Sequence, residues 1–116
     1  MIGKSVEMHV KLMALELLKK DTKNTKARTL VARTCSWSKQ YEKARREFNK
    51  LTSSDKHNRD LWILSVKNEL YANNNATALG LANKALSYLK NDTELERLGE
   101  MARKRILNQE YPQKNW

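Results

Sequence analysis

The sequence predicts an all-α chain, a helical solenoid (α-α superhelix) of about six antiparallel helices, and three observations carry that prediction. Apolar residues recur at helical spacing, as in Leu61, Ile63 and Leu64 followed by Leu70, and no stretch alternates apolar and polar side chains as a half-buried strand does. Polar breaks interrupt these stretches at 19–26, 37–42, 53–60, 72–77 and 89–95. Displaced by 34 residues, the chain pairs Leu30 with Leu64, Ala44 with Ala78, Asn49 with Asn83 and Lys50 with Lys84, and it sets Arg33 opposite Lys67 and Trp37 opposite Tyr71 without a gap. A period of this size marks helical hairpins that bury their apolar faces against one another.

A chain of 116 residues has room for one modest core and is read as a single domain, 1–116. Its first element, 5–24, contains SVEMHVKLMALELLKK and aligns with the second helix of a repeat whose first helix is absent, so the reading is of a segment of a longer protein. Glu7, Lys11 and Glu16 interrupt the apolar run, which therefore does not read as a signal peptide. The block 25–58 is the first full hairpin, with its turn at WSKQYE; the block 59–92 is the second, with its turn at ANNNAT.

In that second turn Asn73 is expected to adopt the left-handed backbone conformation, which asparagine takes more cheaply than bulkier residues. Asn74 is expected to cap the next helix by accepting a backbone N–H bond, and Asn75, standing where the first hairpin has Tyr41, removes one packing aromatic. The element 93–108 reads as a closing helix, opened by a capping box Thr93-x-x-Glu96 and ended before Pro112, with Glu94, Arg97, Glu100 and Arg103 on a solubilising face. Residues 109–116 are read as a tail or linker.

With 23 Lys and Arg against 13 Asp and Glu, the chain carries a formal charge of +10, a field that favours anionic partners. Only 7% of residues are aromatic, sparse for a base-stacking surface. Cys35 stands alone, so neither an internal disulfide nor a cysteine-based metal site is available. Ser53, Ser54, Asp55, His57 and Asp60 cluster superficially like a triad, but they fall on an inter-repeat turn where Ser and Asp belong as caps. His9 and His57 have no ligand-spaced companion, no glycine-rich phosphate loop is present, and no cofactor is expected. No apolar segment approaches membrane-spanning length.

At these residues the chain resembles the tetratricopeptide (TPR) repeat family, over about 5–108. YEKARREF carries the family's A-x3-F element as Ala44 and Phe48 after Tyr41; Ala32 sits at a close helix crossing; Trp62 holds the aromatic position of a first helix, and Ala78, Ala82 and Ala85 are small positions of a second. The departures are Val66 for a small residue, Glu69 for tyrosine, and Thr22, Lys56 and Lys90 where proline usually ends a repeat. The wording of the repeats is also similar to the TPR segment of YaiO-type outer-membrane β-barrel proteins, which implies a periplasmic setting in a bacterial envelope protein, with cytoplasmic as the alternative.

The resemblance implies a non-enzymatic protein-interaction module. In TPR proteins the first helix of each pair lines the concave surface; carried over, this selects Lys26, Thr29, Arg33 and Trp37, then Ile63, Lys67 and Tyr71, then Arg97, Met101 and Lys104. The implied partner is a protein or an extended, acidic peptide, bound beside a basic row and an aromatic pair. The competing reading makes Trp37 and Tyr71 packing residues and the cations a solvated face. The carboxylate clamp of some TPR proteins is not implied, since its asparagine pattern is missing here. An RNA-processing scaffold similar to half-a-TPR proteins is the alternative function, resting on Trp62 and Glu69 in LWILSVKNEL and on the positive charge.

Overall fold

The structure, a computed structural model, describes the backbone of residues 2–110 and the side chains of residues 8–109. The described residues form six α-helices and no strand: α1 (Ile2–Lys20), α2 (Thr25–Trp37), α3 (Tyr41–Ser54), α4 (Arg59–Tyr71), α5 (Asn75–Tyr88) and α6 (Thr93–Glu110). α2 and α4 are displaced by 34 residues at both ends, and so are α3 and α5. The sequence period is thus a backbone period.

Its origin lies in the caps. Asn24 and Asn58 accept the backbone N–H groups of Ala27 and Leu61 at 3.0 and 3.3 Å, and Asp92 accepts that of Leu95 at 3.0 Å. These three positions, each 34 apart, satisfy an orphan donor at the start of α2, α4 and α6. At the other end of α2 and α4 the chain turns left-handed, with φ of 65° at Lys39 and 61° at Asn73. The next two N–H groups close the same pair of bonds in each hairpin: Lys39 to Ser36 and Gln40 to Cys35, Asn73 to Leu70 and Asn74 to Glu69, at 2.7–3.1 Å.

Asn73 therefore takes the expected conformation. Asn74 does not cap α5; its amide donates instead to Glu69 Oε1 at 3.2 Å. Asn75, which stands where the first hairpin has Tyr41, is buried, and its amide donates to Asn73 Oδ1 at 3.1 Å. α6 is capped by Asp92, so Thr93 is its first helical residue and not the cap of a box. α6 extends past 108 to Glu110; Pro112 and the rest of the proposed linker lie outside the described residues.

Helix contacts divide the chain into two compact units, Met1–Asp55 and Lys56–Trp116. In the first, α2 packs on both α1 and α3. Ala14, Ala27, Val31, Ala32, Cys35, Ala44, Phe48 and Leu51 are buried there, and the Arg28–Glu47 ion pair at 2.9 Å ties α2 to α3 at its edge. In the second, α5 packs on α4 and α6 around Trp62, Ile63, Val66, Leu70, Ala78, Ala82, Ala85, Leu95, Leu98 and Ala102. Trp62 stacks on Tyr88 with ring centroids 6.0 Å apart, and its indole N–H donates to the Lys56 carbonyl at 2.8 Å, closing the polar edge of a buried ring. A Cβ built on Gly99 would lie 3.3 Å from the Ala82 Cβ, so small residues at these two positions let α5 and α6 approach closely.

Candidate functional site

In the first unit, the face implied for binding is one side of α2. Lys26 is exposed, and the Thr29 hydroxyl is already spent on the Thr25 carbonyl at 2.7 Å. Arg33 and Trp37 meet at i, i+4 spacing, with the guanidinium carbon 5.0 Å from the indole centroid. Trp37 is 47% exposed, so about half of the ring stays open to solvent. Among the described residues Arg33 makes no ion pair; the indole holds it, and its Nε is buried with no hydrogen-bond partner. A cation fixed on an aromatic face beside an accessible ring can receive an anion and an apolar group together.

The second unit repeats the pattern on α4 with a different outcome. Tyr71 is 62% exposed and Lys67 is half-buried, but Ile63 is only 9% exposed and belongs to the core of its unit. On α6, Arg97 Nε donates to Glu94 Oε2 at 3.0 Å, Lys104 is exposed, and Met101 packs half-buried against the core. Glu94 is held below the usual carboxylate range, first by the hydrogen bond from Arg97, then by the charges of Arg97, Lys67 and Arg59. Glu94 thus sits among three of this unit's cations. Asp92, side-chain bonded to Arg59 at 2.6 Å, and Glu100, bonded to Arg103 at 2.9 Å, add two further ion pairs.

Two features escaped the sequence reading. Arg105, displaced by 34 from Tyr71 and so at the repeat position of the two aromatics, donates to the Leu70 carbonyl at 3.1 Å and closes the end of α4. In the first unit a cavity of about 360 Å³ opens beside Trp37, lined also by Met8 and Lys11 of α1 and by Ser38, Lys39 and Gln40 of the turn. The signal for it was the pairing of Lys39 with Asn73: a lysine at a position that must turn left-handed projects from the tip of the turn.

Of the triad-like cluster, Ser54 donates back to the Lys50 carbonyl at 3.0 Å and His57 sets its ring edge-on to Tyr88 at 5.9 Å. Among the described residues no group of three or more His, Cys, Asp or Glu is arranged to hold a metal ion, and no helix is long and apolar enough to cross a membrane. No protein-family model, curated protein or solved structure matches this chain.

Proposed function

We propose that this protein is a TPR-like interaction module that binds an extended acidic peptide of a protein partner through the first-helix faces of its repeats. The observation that carries the reading is the Arg33–Trp37 pair: an accessible indole with a cation at 5.0 Å that no carboxylate neutralises among the described residues. Two further facts support it. The helices repeat at 34 residues, the period of the family the sequence resembles, and the formal charge of +10 attracts acidic segments.

The test begins with peptide arrays or pull-downs that supply a ligand. Arg33→Ala with Lys67→Ala is then compared with Arg45→Ala with Lys84→Ala. Both doubles remove the same charge, so screened long-range attraction responds alike, and a larger loss from the first pair locates contact on the first helices. Equal losses reduce the interaction to nonspecific electrostatics, and a larger loss from the second pair moves it to the second helices. Tight binding to single-stranded nucleic acid that falls steeply with salt would replace this reading with the RNA-scaffold alternative.

A further inference from the structure

We propose that the cavity beside Trp37 is the specificity pocket of the first unit and takes an acidic residue adjoining an aliphatic or aromatic one in a bound peptide. The inference rests on the peptide-binding reading and names the chemistry of its site. Lys11 and Lys39 both line one cavity of about 360 Å³, and among the described residues no Asp or Glu lines it. Among the described residues Lys11 Nζ bonds the neutral Gln40 Oε1, at 3.3 Å. A carboxylate brings a full opposite charge to the same ammonium and a shorter bond, so it displaces the neutral amide.

The apolar half of the ligand follows from the other walls. Met8 is 62% exposed and Trp37 lies across from it on the same cavity, an adaptable thioether and a flat ring that together accept an aliphatic or aromatic side chain. The volume is at the low end of the roughly 300–1,000 Å³ of small-molecule sites, which suits one or two residues of an extended chain. Arg33, stacked on the same indole, adds a third cation next to Trp37 without lining the cavity. Tyr71 in the second unit has no counterpart of Lys39, since its turn carries Asn73.

Isotope-labelled protein is titrated with acetyl-Glu-Leu-Glu-Phe-amide and with its isosteric acetyl-Gln-Leu-Gln-Phe-amide, followed by the indole N–H signals and the backbone amides. The acidic peptide is expected to shift the Trp37 indole and the amides of Ser38, Lys39 and Gln40 saturably, leaving the buried Trp62 indole in place, and the amide analogue to bind about tenfold more weakly. Lys11→Ala with Lys39→Ala should weaken the acidic peptide about tenfold, about 1.4 kcal/mol. The equally charge-depleted Lys23→Ala with Lys43→Ala should stay within about twofold, since exposed distant charges are largely screened. Equal affinity of the two peptides, equal losses from the two doubles, or no saturation at about 1 mM peptide overturns the pocket. Saturable shifts confined to α4 and α6 also overturn it while leaving the peptide-binding reading standing.

Discussion

The two hairpins α2–α3 and α4–α5 share one backbone plan and differ in where they put bulk and charge. In the first, Phe48 fills the core and an Arg28–Glu47 ion pair stands at the edge; displaced by 34, those positions become Ala82, Trp62 and Leu81. The first hairpin thus packs an aromatic on its second helix, and the second moves its large ring to α4, where Trp62 stacks on Tyr88. Charge divides similarly. Residues 1–55 hold thirteen Lys and Arg against six Asp and Glu, and residues 56–116 hold ten against seven. In the first unit Glu47 and Glu42 pair with Arg28 and Arg45 against a surplus of seven cations, while in the second Glu94, Asp92 and Glu100 sit on cations against a surplus of three. The lesson is that a repeat conserves its turns and caps while each copy distributes hydrophobic volume and charge for itself, and among the described residues only the first copy stacks its first-helix cation on its first-helix ring.

The largest expected effect tests the division of bulk. Phe48→Ala removes a side chain that is 1% exposed and leaves a cavity, so it should cost about 3–5 kcal/mol in denaturant unfolding. Ala78 is fully buried at a close helix contact in the second unit, so Ala78→Leu should overpack it and cost about 1–3 kcal/mol, while the exposed Lys84→Ala should change stability by less than about 0.5 kcal/mol. Matching denaturation midpoints for the last two variants would sink the assigned register.

A smaller effect distinguishes the charged cap from the neutral ones. Asp92→Ala should cost about 1 kcal/mol, and Asp92→Asn should restore most of it, because asparagine caps as well. The Asp92 carboxyl is held below its ordinary range, first by the Leu95 N–H and then by Arg59. A lowered native pKa means that its stabilisation is present above the ordinary value near 4 and is lost as pH falls through the lowered one. On acidification below about pH 4 the parent should therefore lose more stability than Asp92→Asn. Smallest of all, Lys39→Gly should raise stability by up to about 1 kcal/mol, since lysine holds a left-handed conformation there that glycine adopts freely.

Much of the fold was legible because periodicity and turn chemistry are local. The helices fall between the expected breaks, Asn73 turns left-handed, and Ala44, Phe48, Ala78, Ala82 and Ala85 are buried. Capping was misread where a polar side chain had a better partner nearby: Asn74 bonds the buried Glu69, and Asp92 precedes Thr93 by one residue. The site was legible only in part, because a first-helix position says nothing about depth. Ile63 meets the α5–α6 core and is buried; Trp37 meets open solvent. The cavity beside Trp37 was legible only in Lys39 at a left-handed turn, since its other wall, on α1, lies thirty residues away in sequence.

The most direct measurement compares two single variants against the same acidic peptide. Arg33→Ala and Lys67→Ala each remove one positive charge from the same repeat position, but Arg33 stands on an accessible indole while Lys67 lies in the field of Glu94. By calorimetry or anisotropy, Arg33→Ala should weaken binding about fivefold more than Lys67→Ala, a difference of roughly 1 kcal/mol. Equal losses, or a greater loss from Lys67→Ala, would contradict the claim that the unneutralised face of the first unit is the binding surface.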